Sequence, residues 1–360
     1  MIVFSCPTCG KELKVKADLS RKRGKCPHCK TKLLVPHASG DTNTPTPMGD
    51  SGSGSDSKPG EKISTKSDPG PLSLIDFLEP ARRPDELGRL GKYRVLSVLG
   101  AGGMGIVYAG EDTSLKRPVA LKALRPELNA NITARERFLR EAQATAGLEH
   151  DNIIRIYEVG ETNGVPFMAM QLLKGETLDA RLARAGRLAV DEVIRIGRET
   201  AEGLDAAHER GLVHRDIKPA NLFLEKPKGR VKILDFGLAH VERGESKLTR
   251  LGIVVGSVGY LSPEQAAGRP VDARSDLFSL GCLLYHLTTG ELPFKGDDLL
   301  SKLKALANTE PMPPNFLDAG VPEVFSDLIL MLLDKDPDFR PPSARDLSEA
   351  LASLGKKSSH

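Results

Sequence analysis

The run Leu99-Gly100-Ala101-Gly102-Gly103-Met104-Gly105-Ile106-Val107 places four glycines within six residues. Glycine lets a tight turn bring backbone N–H groups against phosphate oxygens, because no Cβ stands in the way. A dinucleotide fingerprint would open a helix here. Ile106-Val107-Tyr108 instead reads on as a strand, which leaves a phosphate-covering turn or a plain glycine-rich hairpin. A second reactive group lies near the start, where Cys6, Cys9, Cys26 and Cys29 follow the pattern Cys-x2-Cys-x16-Cys-x2-Cys. Each close pair can present two thiolates to one tetrahedral ion, at the spacing of a four-cysteine structural zinc site. A redox reading needs one such pair beside a thioredoxin-like pattern, which is absent.

These groups need elements to hold them. Strand-like runs come first, at residues 93–99, 106–108, 118–122, 153–159 and 166–172, and helix-like runs dominate from about Leu178, notably 190–209, 276–288 and 322–333. Strands followed by helices read as an α+β, two-lobed domain over residues 93–354, with residues 355–360 as a disordered tail. Ahead of it, residues 37–70 are different: Gly, Pro, Ser, Thr, Asp and Asn supply 26 of 34, and only Ala38, Met48 and Ile63 are apolar. Such a stretch buries too little surface to offset its ordering entropy and reads as a flexible linker spanning about 30–35 Å. Residues 71–92 form a short bridge, in which Leu72, Ile75 and Leu78 align on one face of a helical turn or two before Pro80 and Pro84 end it. That face suits docking onto the following domain.

Composition narrows the class. With 360 residues, 39% apolar and 28% charged, the chain has material for about two globular domains. No apolar run is long enough for a membrane span, and Cys6 comes too early for a signal peptide. The expected location is therefore cytoplasmic, where five cysteines do not make a disulfide scaffold. Net charge is +3, but residues 1–36 hold nine Lys/Arg and two acids, whereas the rest holds 42 basic and 46 acidic residues. A basic end on a mildly acidic body suggests two modules with different partners.

Further motifs follow the glycine turn in order. Val119-Ala120-Leu121-Lys122 ends 17 residues after Gly105, and then come His214-Arg215-Asp216-Ile217-Lys218-Pro219-Ala220-Asn221, Asp235-Phe236-Gly237 and Ser262-Pro263-Glu264. With these in place, residues 93–354 resemble a eukaryotic-type Ser/Thr protein kinase of the bacterial kind, a bilobal fold with a β-rich N-lobe and a helical C-lobe. The resemblance implies ATP and Mg²⁺ as cofactors and protein Ser/Thr residues as substrate.

It also implies roles. Lys122 would hold the α/β-phosphates and pair with a helix glutamate; Glu141 shares its face with Phe138 and Ala142, and Glu136 is the rival. Asp216 would accept or orient the substrate hydroxyl, Lys218 would neutralise the transferred group, and Asn221 and Asp235 would hold Mg²⁺. Residues Gly100 to Ile106 would cover the phosphates. Leu99, Val107 and Ala120 would wall the adenine from above and Phe223 from below, with Met170 behind and Gln171 to Leu173 as the hinge. Lys218 and Ser257 match the Ser/Thr-type substrate site. Asp276 would accept backbone hydrogen bonds from the catalytic loop, Glu264 would pair with Arg340, and Phe278 stands where the family has Trp. Cys282 reads as a buried, inert thiol.

Every catalytic position is filled, which speaks against a pseudokinase. Arg215 beside Asp216 implies regulation by a phosphorylated residue between Asp235 and Glu264; Thr249 matches that position best and Ser246 next, with modification in trans during transient self-association. Residues 1–36 resemble a zinc ribbon, with Lys30 after the second cysteine pair where ribbons often carry Gly. Four thiolates on Zn²⁺ leave that module at about +5. Lys16, Arg21, Lys22, Arg23 and Lys25 form a solvated basic loop or a contact for an unidentified protein partner, with nucleic acid less favoured because no aromatic interleaves. Two rival readings of the whole are a zinc-dependent adaptor that only senses nucleotide, and a small-molecule kinase.

Overall fold

The computed structural model describes residues 2–5, 11–16, 23–28, 32–34, 74–103, 105–236 and 257–357. The chain divides into two units, Met1–Lys66 and Ser67–His360.

The first unit contains two short antiparallel hairpins. β1 (Ile2–Ser5) pairs with β2 (Glu12–Val15), and β3 (Arg23–Lys25) with β4 (Lys32–Leu34). Leu13 and Cys26 are buried. Cys6, Cys9 and Cys29 lie outside the described residues, as does the linker.

The second unit opens with the bridge. Leu78 N–H donates to Ile75 O at 3.0 Å in a single turn, and Leu74, Ile75, Phe77 and Leu78 pack on the apolar core of the following sheet. Of the three residues expected on one face of a helical turn or two, Ile75 and Leu78 lie on this turn and Leu72 lies outside the described residues. The bridge then supplies β5 (Gly88–Leu90), which pairs with β6 (Tyr93–Ala101). β7 (Gly105–Asp112), β8 (Arg117–Leu124), β9 (Ile156–Thr162) and β10 (Val165–Gln171) complete a six-stranded antiparallel sheet in the order β5-β6-β7-β8-β10-β9. Between β8 and β9 lie the short α1 (Pro126–Asn129) and α2 (Ile132–Ala146). Asn131 caps α2 by accepting from Ala134 N–H, and Phe138 and Ala142 turn its apolar face into the sheet's core.

Period-2 alternation fixes which side chains share a face. Val107, Lys122 and Met168 stand in one row across three strands, and Ala109, Ala120 and Met170 in the row two residues along. The opposite faces of these strands carry Ile106, Tyr108, Leu121 and Ala123 into the core. The register thus separates a core side from a cleft side, except at Met168, which is buried in the same core.

The C-lobe follows. β11 (Gly175–Thr177), α3 (Leu178–Ala185), α4 (Val190–His208), β12 (Leu222–Glu225) and β13 (Arg230–Ile233) come first, with β11-β12-β13 forming a small sheet. α5 (Pro263–Ala266), α6 (Ala273–Thr289), α7 (Leu299–Asn308), α8 (Pro314–Leu317), α9 (Glu323–Leu332) and α10 (Ala344–Lys357) complete it. α6 is buried nearly all round, as a central helix should be, and α4, α9 and α10 pack on it. Phe278 is fully buried and stacks on Phe294 at 5.9 Å, so a phenylalanine pair fills this part of the core. α10 runs to Lys357, three residues into the stretch expected as a tail. Ile153 is not strand-paired along a run; it makes one parallel bridge to Ile233 and so ties the two lobes.

Candidate active site

The glycine turn joins β6 to β7 as a hairpin closed by Gly102 N–H donating to Gly105 O at 2.8 Å. Gly105 is required by packing, since a Cβ there would meet Ala123 O at 2.8 Å. At Gly100 and Gly103 a Cβ would meet nothing within 4 Å. Arg125 Nε donates to Gly102 O at 2.6 Å and anchors the turn. Met104 lies outside the described residues.

Behind the turn, Lys122 Nζ sits between two carboxylates: Glu141 Oε1 at 3.1 Å and Asp235 Oδ1 at 2.7 Å. Glu141 reaches it because α2 buries Phe138 and Ala142 on the same face. Glu136 instead pairs with Arg140 at the exposed surface. Burial alone would depress the lysine, but Asp235 and Glu141 reverse this and hold its pKa above the ordinary value. Burial lifts the Glu141 carboxyl, Lys122 offsets only part of that, and Asp235 adds to the rise. One ammonium thus serves two carboxylates.

The catalytic-loop residues converge from the other side. Lys218 Nζ lies 2.7 Å from Asp216 Oδ2, and Asn221 Nδ2 donates to the same oxygen at 3.0 Å and to Asp216 O at 2.8 Å. Asp276, fully buried on α6, accepts His214 N–H at 2.8 Å and Arg215 N–H at 2.7 Å, and also contacts His208 Nε2 at 2.8 Å. His214 accepts Asp216 N–H at Nδ1, so its proton sits on Nε2 and is donated to Leu234 O at 3.0 Å. The loop is held so firmly that two non-glycine residues keep positive φ: Arg215 at 66° and Asp235 at 45°. Phe236 is buried against His214, with ring centroids 4.8 Å apart. The buried Nε of Arg215 has no hydrogen-bond partner among the described residues.

A separate small apolar cluster lines the cleft. It comprises Ala120, Ile154 and Met170, with Val107, Leu172, Leu173 and Leu234 against it. Leu99 is exposed beside the cleft at 54%. Ala101 pairs with Ile106 across the hairpin, and Phe223 is half-buried on β12. Gln171 N–H bonds Arg155 O, whereas Leu173 makes no backbone hydrogen bond among the described residues.

Farther off, Arg340 clasps Glu264 in two bonds of 2.8 and 3.0 Å, both side chains buried, and Ser275 Oγ adds a third at 2.5 Å. Burial would raise Glu264, but Arg340 and Ser275 hold it down at about 2. Cys282 is fully buried, and its thiol pKa is pushed up by desolvation. Ser257 lies in a short 3-10 turn, and Thr249, Ser246 and Gly237 fall outside the described residues. Sequence reading missed Arg125, His208, Ser275, Ile154 and Leu234, none of which belongs to a contiguous motif.

A two-lobed fold with this cleft defines a class. Residues 93–351 match the protein kinase domain model, and the chain belongs to that family. It is 40% identical over 278 residues to the serine/threonine-protein kinase pkn2 of Myxococcus xanthus, covering 75% of this chain and 33% of that protein. It is 36% identical over 260 residues to the serine/threonine-protein kinase PknB of Mycobacterium leprae, covering 71% and 42%. The chain thus spans less than half of these relatives' length. Among solved structures, the kinase domain of Mycobacterium tuberculosis PknI is similar with a TM-score of 0.57 and 29% identity, over 74% of this chain and 96% of that one. Among the described residues no helix is long and apolar enough to cross a membrane.

Proposed function

We propose that this chain transfers the γ-phosphoryl group of ATP to Ser and Thr hydroxyls of proteins. The observation that carries this is the meeting of Lys122, Glu141 and Asp235 on one side of the cleft with Asp216, Lys218 and Asn221 on the other. The cleft suits a nucleotide. Among the described residues nothing crowds Gly100 or Gly103, which leaves room for a ligand lying close to the backbone of the turn. The apolar cluster around Ala120 and Met170 suits adenine, and Leu173 has backbone groups to spare for its edge. Asn221 and Asp235 offer the amide and carboxylate oxygens that Mg²⁺ prefers; when bound, it neutralises charge on the phosphates.

The chain's own residues do the rest. Lys122, fixed by Glu141, positions the phosphates as a point charge. Asp216, fixed by Lys218 and Asn221, orients the substrate hydroxyl and takes its proton. Lys218 stabilises negative charge on the group in transit. Lys218, Ser257 and the Ser/Thr kinase names of the relatives support the choice of hydroxyl. Phosphoryl transfer from labelled ATP to a generic protein substrate, lost in Asp216→Asn, tests the reading.

Regulation and architecture are part of the proposal. The Nε of Arg215, without a hydrogen-bond partner among the described residues, favours a phosphate on Thr249 placed there in trans by a second copy. The layout is a zinc-ribbon module over 1–36, a flexible linker over 37–70, a docking bridge over 71–92 and the kinase domain over 93–354. Two hairpins flanking the cysteine pairs, and burial of Cys26, support four-thiolate zinc at Cys6, Cys9, Cys26 and Cys29. The ribbon would act as a targeting module in a cytoplasmic enzyme.

A further inference from the structure

Helix α2 carries Glu141 to Lys122, yet its own seat on the sheet is narrow. Of its 15 residues, only Phe138 and Ala142 belong to the apolar core of the N-lobe, and Ile132 at its start is exposed. Burial also works against a charged Glu141, so an outward swing of α2 would relieve that carboxylate by returning it to water. Something besides apolar packing must hold the helix in.

Among the described residues, two side chains of α2 make polar ties to the sheet. One is Glu141; the other is Arg135, about 9 Å earlier along the helix. Arg135 leads the stripe of Phe138 and Ala142 at helical spacings, so its side chain turns toward the sheet. Its guanidinium makes three bonds: Nη1 donates to Gly164 O at 2.7 Å and to Asn129 Oδ1 at 3.2 Å, and Nη2 donates to the Glu161 carboxylate. The turn it grips is well braced. Asn163 and Gly164 close β9 onto β10 with φ of 50° and 77°, a two-residue turn whose twist matches that of the strands. Asn163 Nδ2 donates to Phe77 O at 3.2 Å, and Phe77 lies against the buried ring of Tyr108 at 6.4 Å between centroids. The bridge thus supports the turn that holds α2.

We propose that Arg135 is a positioning residue for phosphate binding: by holding α2 to the β9–β10 turn it keeps Glu141 on Lys122, and so keeps the Lys122 ammonium aimed into the cleft. This role presupposes that Lys122 holds the α/β-phosphates of ATP. Among the described residues Arg135 bonds to no residue of the cleft and acts through Glu141 alone. Its loss should be felt by the phosphates of a nucleotide and not by the base, because the apolar cluster around Ala120 and Met170 contains no residue of α2.

The test is calorimetry on the full chain, with ADP plus Mg²⁺ and adenosine as separate probes. Wild type should bind ADP more tightly than adenosine. Arg135→Ala should weaken ADP about tenfold and leave adenosine within about twofold. Arg135→Lys, which keeps a donor for Gly164 O and a charge for Glu161, should recover most of the loss. In a Lys122→Met background, Arg135→Ala should weaken ADP no further, since the two residues act in series. Unchanged ADP affinity in Arg135→Ala, equal loss of ADP and adenosine, or an additive loss in the double variant overturns the positioning role. A wild type that binds ADP no better than adenosine instead sinks the phosphate-holding role of Lys122, and that of Arg135 with it.

Discussion

Glu264→Gln removes one charge from a buried pair while keeping the side chain's shape. Arg340 would then remain buried at 4% exposure with a neutral partner, although it keeps Asp334 O and Arg274 O at 2.9 Å. The size of the effect follows from the carboxyl itself, held at about 2 against an ordinary 4.5. A shift of that order corresponds to about 3 kcal/mol of stability. The sign is that of a depressed acid. Its contribution is fully present above pH 4.5 and is lost as pH falls through the folded value of about 2. The stability gap between wild type and Glu264→Gln should therefore be about 3 kcal/mol at pH 7, a drop of about 6–12 °C in Tm for a domain of this size. By pH 3 the gap should have fallen to about half, because the unfolded chain already holds Glu264 protonated and folding must release that proton. Thermal melts of both proteins across this range read it directly. A gap that is absent at pH 7, or that stays constant down to pH 3, refutes the claim that the charge of Glu264 holds α5 to the loop before Pro341.

Lys122→Met and Asp235→Asn should each abolish phosphoryl transfer while circular dichroism and gel filtration stay unchanged, since both act on phosphate or metal charge rather than on packing. The purified full chain should contain one Zn²⁺, measured by elemental analysis and lost in Cys26→Ser; a chain without zinc contradicts the ribbon. Protein incubated with ATP should carry phosphate on Thr249 by mass spectrometry, and Thr249→Ala should slow transfer severalfold. Arg215→Ala should remove the benefit of that phosphate; a silent Thr249→Ala would give Arg215 another role.

What the sequence discloses is what is carried by contiguous residues. The Val-Ala-Leu-Lys strand, the loop from His214 to Asn221 and the pair Asp235-Phe236 are contiguous runs, so the residues that meet at the cleft could be picked out before folding. Glu141 is legible for a different reason: helical periodicity puts it on the buried face with Phe138 and Ala142, and Glu136 off it. The strand Gly88–Leu90 is not legible, because three residues of Gly-Arg-Leu carry no alternation and only the free edge of β6 recruits them. Long-range contacts are equally silent. Nothing in the spacing of His208 and Asp276, or of Arg125 and Gly102, announces that they meet.

The central claim is transfer to Ser and Thr by the assembled cleft. Its most direct measurement is acid hydrolysis of protein substrate labelled from γ-labelled ATP, with wild type and Asp216→Asn compared at equal nucleotide occupancy. Wild type should yield phosphoserine and phosphothreonine, and Asp216→Asn should bind nucleotide yet yield neither. Phosphotyrosine as the main product, or undiminished transfer by Asp216→Asn, would contradict the account.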